Sequence, residues 1–270
     1  MKPKRFKYIY LLLCVALCIT TISRGYYLKH HTNEGNPFSR AINTIIPEAI
    51  PGINHVIDDS LSDLEETKKM ERTIERFMAQ WEIKGASLAI MKNGKLLYSK
   101  GFGIADSAKG TPVNVSNIFR IASLSKLITA TGIMKLWEEK KLSLDQPVFG
   151  EKGILNDSAF LDIKDPRIRE ITVEHLLRHQ GGYSIRAGDP LFCTPSVAQS
   201  MQTPLPLSAD DMVRFAASTR LRFRPGEGNA YSNLGYVVLG KVIEKVSGMP
   251  YETFIRDSIL IPIGCFDMHI

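Results

Sequence analysis

An α+β fold is what this sequence predicts, on three observations taken in chain order. The stretch "LEETKKMERTIERFMAQWEI", residues 64–83, repeats apolar side chains at spacings of three and four, the period of an amphipathic helix. "GASLAIMKNGKLLYSKGFGIAD" follows, with two strand-like runs joined by Asn93-Gly94, the dipeptide that most readily takes the positive φ angles of a tight hairpin turn. The helical period then resumes in "FRIASLSKLITATGIMKLWEEKK", residues 119–141. A helix followed by an antiparallel hairpin is the order of an α+β protein.

The first helix takes Met70, Ile74, Phe77, Met78 and Trp81 as its apolar positions and opens the folded domain. Within the hairpin, Gly85-Ala86-Ser87-Leu88-Ala89 is a near miss to the G-x-S-x-G nucleophile elbow. It lacks the second glycine and sits inside a strand, which disfavours an α/β-hydrolase. The helix from Ser123 presents Leu124, Leu127, Ile128, Ile133, Met134 and Trp137 as a bulky central face, with "EEKK" closing it.

Composition bounds the function. With 270 residues, 44% hydrophobic and 23% charged, the chain has material for one sizeable core or two small ones, which excludes a disordered or fibrous protein. Lys2, Lys4, Arg5 and Lys7 alone supply four of the six net positive charges, so the rest is nearly neutral and nucleic-acid binding is not indicated. Those cations precede "YIYLLLCVALCITTIS", residues 8–23, an uncharged run short for a bilayer span but the right length for the apolar region of an export signal. The expectation is an exported, periplasmic protein, its residues 1–23 either cleaved after Ser23 or kept as a membrane anchor. Cys18 in "VALC" is a lipid-attachment candidate, against which the bulky Leu17 stands.

Residues 24–65, with Pro51-Gly52 and "DDSLSDLEE", read as a stem before a folded domain over 66–270. Cys14 and Cys18 lie in the apolar run. That leaves Cys193 and Cys265, in an exported protein either a disulfide or two free thiols. No cysteine pair has metal-ligand spacing, and no phosphate loop, repeat array or cofactor motif stands out.

Two constellations carry chemistry. Ser123 and Lys126 are one helical turn apart where a helix begins, so their side chains share a face. A serine there lies near the positive end of the helix dipole, which favours a developing alkoxide, and a lysine beside it is a base once desolvation and positive potential lower its pKa. The same spacing fits a serine cap with a solvated lysine. The second is Tyr231-Ser232-Asn233, after a turn containing Pro225, Gly226 and Gly228: a phenol to relay a proton and an amide to hold a substrate carbonyl. Its plain alternative is a buried tyrosine beside a turn asparagine. His175 and His179, at i and i+4 in "HLLRH", lack the Glu of a H-E-x-x-H zinc site and read as structural, with His179-Gln180-Gly181 ending a helix.

Taken together, "FRIASLSKLITATGIMKLWEEKKLSLDQPV", "ITVEHLLRHQGGYS" and "FRPGEGNAYSNLGYVVLGKVIEKVSGMPYETFI" resemble three successive blocks of the serine β-lactamase and penicillin-binding-protein-like family. More narrowly they resemble its class C branch, which includes D-aminopeptidases, D-alanyl-D-alanine carboxypeptidases and esterases. The resemblance implies a β-lactamase/transpeptidase-like fold: an antiparallel sheet flanked by helices, plus an all-helical region. It implies that Ser123 is the acylated nucleophile, Lys126 its base partner, Tyr231 the proton shuttle and Asn233 a substrate-positioning residue. The substrate is then a β-lactam, a D-amino-acid peptide or an ester, with no cofactor.

The family's third motif, Lys or His, then Thr or Ser, then Gly, lies on a strand downstream of Tyr-x-Asn, and only 37 residues follow Asn233 here. The expectation is therefore a domain without its C-terminal strands and final helix, lacking the strand that supplies a second oxyanion N–H and leaving one edge of the hairpin sheet unpaired. Three functional readings follow: an exported serine hydrolase, a binding or sensing module acylated at Ser123 with little turnover, and an inactive remnant.

Overall fold

The period over 64–83 becomes α1, Lys68–Gln80. This computed structural model describes residues 67–183, 185 and 188–269, so the expected export segment with Cys14 and Cys18, and the stem, lie outside the described residues. Two compact units are present: one holds 67–121 with Phe266–Met268, the other Ala122–Cys265.

In the first unit α1 packs on an antiparallel sheet of order β1-β2-β3, with β1 at Gly85–Lys92, β2 at Lys95–Asp106 and β3 at Thr111–Pro112. Its core joins Met70, Ile74 and Met78 of α1 to Ala86 and Leu88 of β1 and Tyr98 and Phe102 of β2. Phe77 and Trp81, expected on the same face, are 54% and 43% exposed and stack on each other, ring centroids 6.2 Å apart. Positions 70, 74 and 78 form one i, i+4 stripe, and 77 and 81 form the next one round the helix. The inward place beside that stripe goes to Glu71, whose buried carboxylate accepts from Lys100 Nζ at 3.0 Å, Thr67 Oγ1 at 2.9 Å and Tyr98 OH at 3.2 Å. Lys100, the largest influence, holds that carboxyl below its ordinary value.

The hairpin turns at Asn93 and Gly94, both at positive φ (53° and 72°), with Lys92 facing Lys95 as the dipeptide predicts. Gly103 has φ +74°, and a Cβ there would stand 2.2 Å from the Lys84 carbonyl oxygen, so the backbone approach at this point requires glycine. Ser87 is inside β1, as expected. Among the described residues no strand pairs with the other edge of β1.

The second unit is helical: α2 (Ser125–Glu138), α3 (Val173–Leu177), α4 (Thr194–Met201), α5 (Ala209–Ser218), α6 (Asn233–Ser247) and α7 (Tyr251–Ile255). The hub is α6, whose Leu234, Val238, Leu239, Val242 and Ile243 are buried and which packs on α2, α3, α5 and α7. Each such side chain contributes about 1.5–3 kcal/mol when fully buried, so packing rather than helix propensity holds this unit together. Gly132 lets α2 approach closely, since a Cβ there would meet Ile255 Cδ1 at 2.9 Å and Ile243 Cδ1 at 3.0 Å. The inward face of α2 is accordingly Thr129, Ala130, Ile133 and Leu136, while Leu124 and Leu127, expected in the core, are 61% and 54% exposed.

Between α2 and α3 the chain is irregular, and Asp165 ties it to the segment before Tyr231. Its buried carboxylate accepts from Arg167 Nε and Nη2 at 3.0 and 2.7 Å and from Leu221 N at 3.0 Å, while Arg167 also donates to Leu221 O at 2.8 Å. Arg167 above all holds this carboxyl far below the usual carboxylate range. Cys193 and Cys265 are free thiols, which decides between the two alternatives for them.

Candidate active site

Ser123 does not cap a helix. The α-helix expected to begin there begins at Ser125, preceded by a 3-10 turn at Ala122–Leu124, and no side chain caps its N-terminus. Ala122, immediately before the serine, has φ +47°, a left-handed conformation that a non-glycine residue adopts at a cost of order 1–2 kcal/mol. The turn leaves the Ser123 hydroxyl exposed, and its partner is the Tyr231 hydroxyl, 2.6 Å away across 108 residues of sequence. Lys126 Nζ donates to Ser123 Oγ at 3.4 Å and to Asn233 Oδ1 at 2.5 Å, and lies 4.9 Å from the Tyr231 ring centroid and 5.6 Å from that of Tyr236. All four residues read from the sequence thus meet in one cluster within one unit.

The start of α6 explains why Tyr231 and Asn233 serve one site. Ser232, buried between them, is the N-cap: its Oγ accepts from Gly235 N at 2.9 Å. Tyr231 therefore lies just outside the helix and Asn233 is its first residue. The loop that delivers Tyr231 rests on the end of α3. Arg178 O accepts from Asn229 Nδ2 at 2.8 Å, His179 O from Ala230 N at 2.9 Å, and Gln180 O from Gly226 N at 3.0 Å.

His175 has the structural role expected of it, completing a capping box with Thr172 at the start of α3. His179 does more than end a helix. It is buried just past α3 at φ +58°, its Nδ1 accepts from Ser232 N at 3.2 Å, and its ring stacks on Tyr231 and Tyr236 at 4.7 and 5.2 Å between centroids. Burial first, and the Lys126 charge second, lower its pKa to about 4, so it is neutral at pH 7 with its proton assigned to Nε2 by the Nδ1 contact. Sequence reasoning missed two more members. Tyr236, one turn into α6, faces Lys126 and donates its hydroxyl to Leu177 O at 3.2 Å. Asp189, in the loop before α4, accepts from Asn233 Nδ2 at 2.6 Å. The i+5 spacing of Tyr236 from Tyr231 is a faint signal, and no motif marks Asp189.

The chain belongs to the Beta-lactamase family, whose model matches residues 70–270. It is 32% identical over 201 residues to penicillin-binding protein 4* of Bacillus subtilis, covering 73% of this chain and 40% of that protein. To esterase EstB of Burkholderia gladioli it is 26% identical over 207 residues, 74% of this chain and 50% of that one. The chain thus spans half or less of the length of these relatives. Among solved structures, an octameric penicillin-binding protein homologue from Pyrococcus abyssi superposes with a TM-score of 0.60 at 36% identity, over 73% of this chain and 42% of that chain. The D-amino acid amidase of Ochrobactrum anthropi does so with a TM-score of 0.54 at 27% identity, over 70% and 47%. The fold is β-lactamase/transpeptidase-like, with helices and a small antiparallel sheet.

The burial of His179 makes stability depend on pH. Its folded pKa of about 4 lies below the unfolded value of about 6.5, so the unfolded chain binds the extra proton in that window. The contribution is complete above pH 6.5 and is lost as pH falls toward 4. At pH 4.5 the loss is about 2 to 3 kcal/mol. Urea unfolding at pH 7.5 and 4.5 checks this: His179→Phe is expected to show a shallower pH dependence than the parent, and equal slopes for both contradict the assignment.

Proposed function

We propose that this chain is a serine hydrolase that forms an acyl-enzyme at Ser123 on amide or ester substrates. The observation that carries the reading is the contact of Ser123 Oγ with both the Tyr231 hydroxyl and Lys126 Nζ, a nucleophile within reach of two proton-handling groups. Once the Tyr231–Lys126 pair has given one proton to water, Ser123 Oγ attacks the substrate carbonyl and passes its proton to that pair, which delivers it to the departing amine or alcohol. Water then reverses the sequence and frees the acid. The uncapped N-terminus of α2 adds partial positive charge where the oxyanion develops. Asn233 holds Lys126 through its Oδ1 and offers an amide edge to the acyl group. The names of the relatives, a penicillin-binding protein, an esterase and a D-amino acid amidase, support an acyl-transfer substrate of this range, and the Tyr-x-Asn pattern supports the class C branch.

Turnover of p-nitrophenyl acetate tests this. Ser123→Ala is expected to abolish it, and Lys126→Ala and Tyr231→Phe to slow it by about 10² to 10⁴. Parent-like turnover by Ser123→Ala refutes the reading. A stoichiometric burst without steady-state release assigns the chain to a binding or sensing role instead.

Residues 1–23 extend the proposal to export into the periplasm, from their cationic start and uncharged run. Fused to a reporter active only outside the cytoplasm, residues 1–40 are expected to give activity. A well-expressed but silent fusion counts against export.

A further inference from the structure

Asn233 has a donor end and an acceptor end, and the site sets a charged group against each. Its Oδ1 accepts from the Lys126 ammonium at 2.5 Å, and its Nδ2 donates to the Asp189 carboxylate at 2.6 Å. Turned over, the same amide would set its N–H groups against the ammonium and its carbonyl against the carboxylate, exchanging two attractive contacts for two repulsive ones. Lys126 alone favours the observed orientation from one side, and Asp189 closes the other.

Asp189 is itself fixed. Its Oδ1 accepts from Leu191 N at 2.9 Å, and its main-chain oxygen accepts from Phe192 N at 2.9 Å and Cys193 N at 3.0 Å, the turn that leads into α4. The turn uses Oδ1 only, so the second oxygen, which reaches Asn233, is not explained by the turn. The two side-chain contacts together require acceptors at both oxygens. A carboxylate provides them and an amide does not, because its NH₂ would face either Leu191 N–H or the Asn233 NH₂.

We infer that Asp189 is a positioning residue for the hydrolase reading given above: it fixes the orientation of Asn233, whose carbonyl then holds Lys126 Nζ beside Ser123. The arrangement is a relay of three contacts, carboxylate to amide to ammonium to hydroxyl, in which Asp189 acts only through Asn233.

The test is a swap measured as single-turnover acylation by p-nitrophenyl acetate together with melting temperature. Asp189→Asn and Asn233→Asp are each expected to slow acylation by at least about 30-fold. The double variant restores complementarity, since a carboxylate at 233 accepts from both Lys126 and the new amide at 189, whose oxygen takes Leu191 N–H. It is expected to acylate within about fivefold of the parent, a strong non-additivity of the kind that marks directly coupled residues. Asp189→Ser separates this role from the turn: its hydroxyl still accepts from Leu191 N–H but is too short for Asn233. It is expected to melt like the parent and acylate as slowly as Asp189→Asn. Losses that multiply in the double variant, or parent-like acylation by Asp189→Ser, overturn the inference while leaving the hydrolase reading intact. A parent chain that takes no acyl group overturns both.

Discussion

The site depends on how one helix begins. Ser232 caps α6 with its hydroxyl and gives its own N–H to His179, so Ser232 is held in extended backbone (φ −139°, ψ 113°) and the residue after it is committed to the helix. That change of direction within three residues is why a phenol and an amide so close in sequence reach different partners, Tyr231 meeting Ser123 and Asn233 meeting Lys126. A helix start is well suited to this task because its orphan N–H groups demand a cap, and the cap locks the flanking dihedrals.

The cap in turn rests on the end of α3. Carbonyls at 178, 179 and 180 receive the loop before Tyr231, and Gly182 O accepts from Arg222 N at 2.8 Å. Presenting these carbonyls takes left-handed backbone at His179 and at Gly182, φ +58° and +88°. A Cβ at Gly182 would stand 2.5 Å from Phe223 O, so this bed and its loop fit only with glycine there. Buried neutral His179 packs its ring against Tyr231 and Tyr236, so one group serves both the fold and the site. Strain at Ala122 and the desolvation of His179 are costs concentrated at the site, and the α6 core next to it supplies the packing that sustains them.

The elements with strong local signals were legible in the sequence. Asn93-Gly94 specified its turn because few dipeptides tolerate two positive φ angles, and the period of α1 located that helix to within a few residues. Ser123, Lys126, Tyr231 and Asn233 were legible because each pair is local, one turn of helix or one cap apart. What failed was facing. Leu124, Leu127, Phe77 and Trp81 were expected inside and are exposed, since periodicity reports which residues share a stripe and not which stripe meets the core. Asp189 and the full role of His179 were not legible, because each acts through contacts 44 and 53 residues away that no local pattern encodes.

The central claim is that Ser123 is the nucleophile, and it is tested most directly by locating the covalent bond. The described protein is treated with a fluorophosphonate active-serine probe, digested, and mapped by tandem mass spectrometry. The account predicts a single adduct on Ser123 and none on Ser125, two residues further on at the start of α2. An adduct on another serine, or an unmodified Ser123 in a preparation that hydrolyses ester, would contradict it.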